Sequence, residues 1–194
     1  TEFILSGFNS FQALSNKPCK PYDKNRTGIN IGEVAASVLV TNKSEGLPKE
    51  AVTVLGEGSC NDANHISGPS RTGEGLFRSI ERAMVQAKIQ AENIDYISAH
   101  GTATLFNDEM EAIAFNRSGF QETPLNSLKG YFGHTLGASG ALSMELAILM
   151  LQHKEFIDFP YPTIITNTQK TPKRILVNAL GFGGNAVSVL IVKD

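Results

Sequence analysis

Cysteine is scarce in this chain of 194 residues, where Cys19 and Cys60 are the only two. They lie in dissimilar, loop-like surroundings and make no metal-type spacing. That excludes a disulfide framework and fits a reducing cytoplasm in which both thiols stay free. Charge of one sign is lacking as well: 17 basic and 19 acidic residues are scattered and leave a formal net charge of −2, so no electrostatic footprint for nucleic acid is present. Long apolar runs are missing; the stretch 141–151 is interrupted by polar residues and is too short to span a bilayer. The opening residues Thr1-Glu2-Phe3-Ile4-Leu5 carry no basic segment followed by a cleavable apolar run, so nothing in them marks export, and they read as the middle of a fold. There is no internal repeat, no low-complexity segment and no glycine-rich turn with the GK[ST] signature of a phosphate loop.

What is present is a 41% hydrophobic content, enough for a folded domain with a real core. The run 28–41, with Ile29, Ile31, Val34 and Val38-Leu39-Val40, predicts a mostly buried strand in which Gly32, Ala35 and Ala36 allow close packing. A strand over 51–55 and a Gly/Ser/Asn/Asp-rich loop over 56–69 follow. Leu76, Ile80, Ala83, Met84 and Ala87 recur at helical spacing and predict an amphipathic helix over 73–88. Next come a strand over 94–99, a helix capped by Asn107 or Asp108 with Met110, Ile113 and Ala114 on its apolar face, and a short strand over 124–128. A strongly apolar helix over 137–151, expected to be buried on most sides, precedes strands over 174–178 and 187–192. From Ala51 onward the order is βαβαβαββ, an α/β sheet with helices on its faces.

Two strands of this pattern deliver polar cargo at their carboxyl ends, where ligand chemistry collects in open α/β sheets. The first leads into His100-Gly101-Thr102-Ala103-Thr104 and the second into Lys129-Gly130-Tyr131-Phe132-Gly133-His134. A lone histidine at a strand end is as readily a structural core residue. Two of them, each beside glycine and each following a strand of one sheet, can converge on one site. Lys129 would ordinarily be a solvated lysine, but five positions before His134 it can orient that turn or tune its charge. Asp108 and Glu111, one helical turn apart, are either surface acids or anchors for Lys129 and the helix entrance. Thr102 and Thr104 alternate along an extended segment and can point their hydroxyls together at a ligand's amides. Gly181-Phe182-Gly183-Gly184 is either a turn with an anchoring ring or a gate whose backbone N–H reaches an oxyanion.

Neither cysteine suits nucleophilic attack. Cys19 is held between Pro18 and Pro21, and Cys60 is followed by a loop rather than by a helix N-terminus that would lower a thiol pKa. A metal site built on His100, Asp108 and His134 lacks the carboxylate-rich shell of a hydrolytic centre, so no metal is expected.

These residues, taken in order, resemble the C-terminal half of the β-ketoacyl-acyl-carrier-protein synthases, the condensing enzymes of fatty acid and polyketide synthesis. The run 100–104 is similar to the family's His-Gly-Thr-x-Thr, with Asp108 and Glu111 in following positions. Lys129 through His134, continuing into Leu136-Gly137-Ala138-Ser139-Gly140, is similar to its lysine and second histidine, and 181–184 to its gating turn. Segments Gly7-Phe8, Ala13-Leu14-Ser15 and Pro21-Tyr22-Asp23-Lys24-Asn25-Arg26-Thr27-Gly28 extend the resemblance over nearly the whole chain. Asn185-Ala186 stands where the family commonly has Thr-Asn, Leu105 where proline is frequent and Val34 where glycine is frequent; these departures bear on substrate subclass.

The resemblance implies a thiolase-like fold, with residues 1–41 ending its N-terminal half and 42–194 forming its C-terminal half. It implies decarboxylative Claisen condensation, with His100 and His134 at the developing enolate, Lys129 and Phe182 beside them, Thr102 and Thr104 on the phosphopantetheine arm, and Asp108 and Glu111 behind. The nucleophilic cysteine would lie upstream. No dissociable cofactor is implied, because the phosphopantetheine arrives attached to acyl carrier protein. That acidic partner could use Lys17, Lys20 and Lys24, although a solvated loop explains those lysines more simply. A homo- or heterodimer, a cytoplasmic setting and a missing N-terminal half are further implications. The alternatives are a non-catalytic interaction subunit completing a partner's site and, more weakly, a thiolase-type enzyme acting on acyl-CoA.

Overall fold

Along β4 (Arg174–Gly181) the side chains of Ile175 and Val177 belong to one apolar cluster and Leu176 to another, which is the period-two signature of a strand buried on both faces. The same division separates Leu190 from Ile191 in β5 (Asn185–Val192) and Ile97 from Tyr96 in β2 (Tyr96–Ser98). With β1 (Thr53–Asn61) and β3 (Leu125–Asn126) these strands form a mixed sheet of order β1-β5-β4-β2-β3. Strand β2 runs parallel to β3 and β4, and β5 runs antiparallel to β1 and β4. The structure is a computed structural model, and it describes residues 1–43, 45–163, 165 and 171–193.

Helices α2 (Glu74–Ala87) and α3 (Leu105–Arg117) cover one face of the sheet through Leu76, Ile80, Ala83, Met110, Ala114 and Phe115; α5 (Ser139–His153) covers the other through Ala147, Met150 and Leu151. The short helix α4 (Lys129–Phe132) and a 3-10 turn at Leu136–Ala138 join β3 to α5. The expected βαβαβαββ order is therefore present, with α4 added.

Several expectations are corrected. Strand β1 continues to Asn61 through a segment expected to be loop. Its glycines lower strand propensity, but they are there for contact: a Cβ on Gly56 would lie 2.2 Å from the Ala83 carbonyl oxygen, and one on Gly58 2.0 Å from that of Ser79, so only glycine lets α2 lie this close. The run 28–41 forms no strand. It makes isolated bridges at Ile29 and Ile31, and Val38, Leu39 and Val40 are exposed. Gly32 is tightly packed as expected, but Ala35 is exposed. Helix α3 begins at Leu105 rather than at an Asn107 or Asp108 cap, and Ile113 on its supposed apolar face is largely exposed. Helix α5 buries one side only, its other apolar residues remaining half-buried. A helix over Glu2–Ser10 (α1), capped by Thr1, was not expected, and none of its residues is buried.

Candidate active site

Parallel strands β2 and β3 are neighbours and end at the same edge, so the segments that follow them meet. There the rings of His100 and His134 approach edge to face, with centroids 5.2 Å apart. Lys129, buried, donates from Nζ to the His100 carbonyl and lies 3.4 Å from His100 Nδ1. An ammonium can only donate, so Nδ1 accepts and the ring proton sits on Nε2. His134 has the same tautomer for a different reason: its Nδ1 accepts the Leu136 N–H at 3.1 Å. Each imidazole thus keeps an Nε2–H donor.

Burial disfavours the charged form of both rings, and the Lys129 cation adds to it; His134 falls to about 3 and His100 well below the ordinary histidine range. Lys129 is itself lowered by burial, against the pull of Glu111, and Glu111 is raised by burial and by its neighbour Asp108.

The two acids hold the histidine loop by its backbone. Glu111 accepts the His100 N–H at 2.8 Å and the Gly101 N–H at 2.6 Å; Asp108 accepts the Thr102 N–H at 3.0 Å and the Tyr22 N–H at 2.9 Å. Among the described residues neither carboxylate makes the direct contact with Lys129 that the sequence offered as one possibility; both bond backbone N–H groups of the loop, Asp108 that of Tyr22 as well, and Glu111 acts on Lys129 through space. The loop needs this restraint. Gly101 has φ +38° with Ser127 pressed against it, and Ala103 sits at φ +60° although it carries a Cβ.

Thr102 and Thr104 bring their hydroxyls within 2.8 Å of each other, Thr102 buried and Thr104 half-buried. Phe182 is half exposed; its ring stacks on Phe8 at 5.8 Å and meets Phe11 edge-on at 5.7 Å, and among the described residues it makes no ring contact with the imidazoles. Its turn is tied down by Asn61, which donates to the Gly183 carbonyl at 2.8 Å and to Asn185 at 3.0 Å.

Sequence reasoning missed several supports. Ser127 donates to the carbonyls of His100 and Gly101, at 3.1 and 2.7 Å. Asn107 donates to Glu111 at 2.8 Å, and Arg26 pairs with Asp108 at 3.5 Å. Asn107 stands four positions before Glu111 on one helix, a spacing that could have revealed it; the other two act across the fold and leave no pattern.

Cys19 is buried, donates to the Thr102 carbonyl at 3.7 Å, and burial pushes its thiol up to about 11. Among the described residues no group of histidine, cysteine and carboxylate side chains is arranged to hold a metal ion, and no helix is long and apolar enough to cross a membrane.

The sequence profile of the family described as Beta-ketoacyl synthase, C-terminal domain matches residues 51–159. A 3-oxoacyl-[acyl-carrier-protein] synthase 2 of Rhizobium meliloti is 32% identical over 96% of this chain and 50% of its own length. Among solved structures, a ketosynthase in complex with its chain length factor from Xenorhabdus doucetiae superposes with a TM-score of 0.82 at 31% identity, covering 100% of this chain and 51% of that one. A β-ketoacyl synthase from Burkholderia phymatum gives 0.83 at 26% identity, over 100% and 52%. The chain spans about half the length of these relatives.

Proposed function

The chain belongs to the β-ketoacyl synthase family through its C-terminal domain, with the fold of thiolase-like ketosynthases, and on that premise we propose that the full-length protein performs decarboxylative Claisen condensation. An upstream cysteine takes the acyl group. A malonyl thioester on acyl carrier protein then loses CO2, the electron pair of the broken C–C bond passing into an enolate whose oxygen gathers negative charge. The enolate carbon attacks the acyl thioester, and the cysteine leaves as thiolate.

One observation carries this reading: two neutral imidazoles, each keeping an Nε2–H, stand edge to face at one end of the sheet beside a buried lysine. Donors fixed in advance, in a place poor in water, stabilise oxygen where charge develops without having to reorient. Lys129 keeps His100 in the donating tautomer and both rings neutral. The Thr102–Thr104 hydroxyl pair offers hydrogen bonds to the amides of the phosphopantetheine arm, which arrives attached to its carrier, so no dissociable cofactor is needed. Phe182, on its pinned turn, serves as the gate of the acyl pocket. Lys17, Lys20 and Lys24 supply positive charge for an acidic carrier protein.

Half of the fold comes from elsewhere in this reading, as residues 42–194 form the second half and 1–41 the end of the first. The exposed Val38-Leu39-Val40 run and the half-buried side of α5 supply apolar surface for it to cover. A homo- or heterodimer in the cytoplasm is the assembly that goes with it. The non-catalytic subunit reading is less well supported, because His100, Lys129 and His134 are all present and mutually arranged.

The test is CO2 release from malonyl-carrier protein by the full-length polypeptide. His100→Ala and His134→Ala are each expected to lower it at least about 100-fold, in the range that loss of one preorganised oxyanion donor produces. Release at the parental rate in both variants would overturn the reading.

A further inference from the structure

Between the two histidine loops runs the segment 28–32, and both loops hang from it by backbone bonds. The Gly28 N–H donates to the Ala103 carbonyl at 3.0 Å, on the His100 side. On the other side the His134 N–H donates to the Asn30 carbonyl at 2.7 Å, and the Gly32 N–H returns to the His134 carbonyl at 3.0 Å. The spacing of the imidazoles is therefore only as definite as the placement of this segment, which is no part of the main sheet.

Backbone bonds tie Ile29 of this segment to Ala13 and Ser15, at 2.8 and 2.9 Å, and the side chain of Asn30 adds further restraint. That side chain makes three hydrogen bonds to the loop 15–19: Nδ2 to the carbonyls of Ser15 and Lys17, both at 3.0 Å, and Oδ1 from the Cys19 N–H at 2.6 Å. Cys19 in turn donates through its thiol to the Thr102 carbonyl at 3.7 Å. A closed circuit results, from His134 through Asn30 and Cys19 to Thr102 and so to His100. Only a side chain with a carbonyl and an amide on one short stem can serve all three backbone groups at once.

The structure assigns Asn30 as a positioning residue that fixes the distance and angle between the two imidazoles through the loop 15–19. The assignment rests on the two-histidine reading of the site. Asn30 touches neither ring, so its effect falls on the step in which both Nε2–H groups must meet one oxygen, and spares acyl transfer to the upstream nucleophile.

Asn30→Val, which keeps the bulk and removes all three bonds, and Asn30→Ser, a smaller change in case the valine variant does not fold, are compared with the parent in the full-length polypeptide. CO2 release from the malonyl thioester is expected to fall about 10- to 100-fold in Asn30→Val, the scale on which a displacement of about 1 Å acts. Asn30→Ser should fall less, and acyl transfer should stay near the parental rate in both. Equal losses in the two half-reactions, or unchanged CO2 release, overturn the assignment. The imidazole Cε1–H signals of His100 and His134 give a readout independent of activity: they are expected to shift in both variants, and unmoved signals also overturn it. A parent that releases no CO2 would end the condensation reading, and the imidazole signals would then decide the role of Asn30 alone.

Discussion

His100 and His134 meet edge to face with ring centroids 5.2 Å apart and planes at 81°. Two imidazolium ions this close would repel each other, and burial together with the Lys129 cation moves both rings further toward neutrality. Neutral rings that each keep an Nε2–H can donate hydrogen bonds and hold an added proton poorly.

Acid should expose that neutrality as a cost to stability. In the unfolded chain His134 takes up a proton near pH 6.5, whereas in the fold it does so only at about 3. Between those values the unfolded state binds more protons, so stability falls as pH falls, by about 1.4 kcal/mol per pH unit for this residue. Glu111, raised by burial, works in the opposite sense. Urea melts of the parent against His134→Asn cancel its contribution, and the parent's advantage is expected to shrink from pH 6.5 toward pH 4. A difference that stays flat would mean the ring is charged in the fold.

Lys129→Met should destabilise in a pH-dependent way. The substitution removes the donor to the His100 carbonyl and the cation facing Glu111, leaving a buried carboxylate without a nearby positive charge. A loss of about 1–3 kcal/mol at pH 8 is expected, the cost of leaving a buried polar group without its partner. With its cation gone, Glu111 moves further up, the folded state holds more protons than the unfolded, and stability recovers as pH falls. Melts at pH 8 and pH 6 check this, and an equal deficit at both would show that another group carries the uncompensated charge.

Glycine contacts separate fold from site. A Cβ on Gly58 meets the Ser79 carbonyl oxygen at 2.0 Å, and one on Gly32 meets the Phe132 carbonyl oxygen at 1.9 Å. Both obstacles are backbone and cannot swing aside. Gly58→Ala is expected to cost about 1–3 kcal/mol by lifting α2 from β1, with CO2 release per folded molecule unchanged. Gly32→Ala pushes on the turn that carries His134 and is expected to lower CO2 release per folded molecule at least about 10-fold.

Much of the sheet could be read from periodicity because β2, β4 and β5 bury both faces and their helices repeat at helical spacing. Gly56 and Gly58 hid the second half of β1, since their purpose is contact with α2, which lies elsewhere in the sequence. Val38-Leu39-Val40 misled in the other direction: apolar, β-branched character demands burial but does not name the surface that provides it. At the site, His100, Lys129 and His134 stood out as side chains with chemistry beside glycine at strand ends. Ser127 and Asn30 did not, because they bind backbone carbonyls and N–H groups, which every residue has, across 11 to 27 positions of sequence.

The two thiols should part company under alkylation, and the outcome bears on where the nucleophile lies. Cys19 is 3% exposed and its thiol is raised to about 11, so at pH 8 about one molecule in a thousand carries the thiolate that reacts. Cys60 is only half-buried on β1. Iodoacetamide at pH 8 is expected to modify Cys60 in the folded chain and Cys19 only after urea is added, as mapped by peptide mass spectrometry. Incubated with an acyl-carrier thioester, the 194-residue chain is expected to gain no acyl mass on either residue. Acylation of Cys19 would place a nucleophile beside Thr102 within these 194 residues and remove the need for an upstream cysteine; its absence, with acylation restored when the upstream half is joined, leaves condensation dependent on both halves.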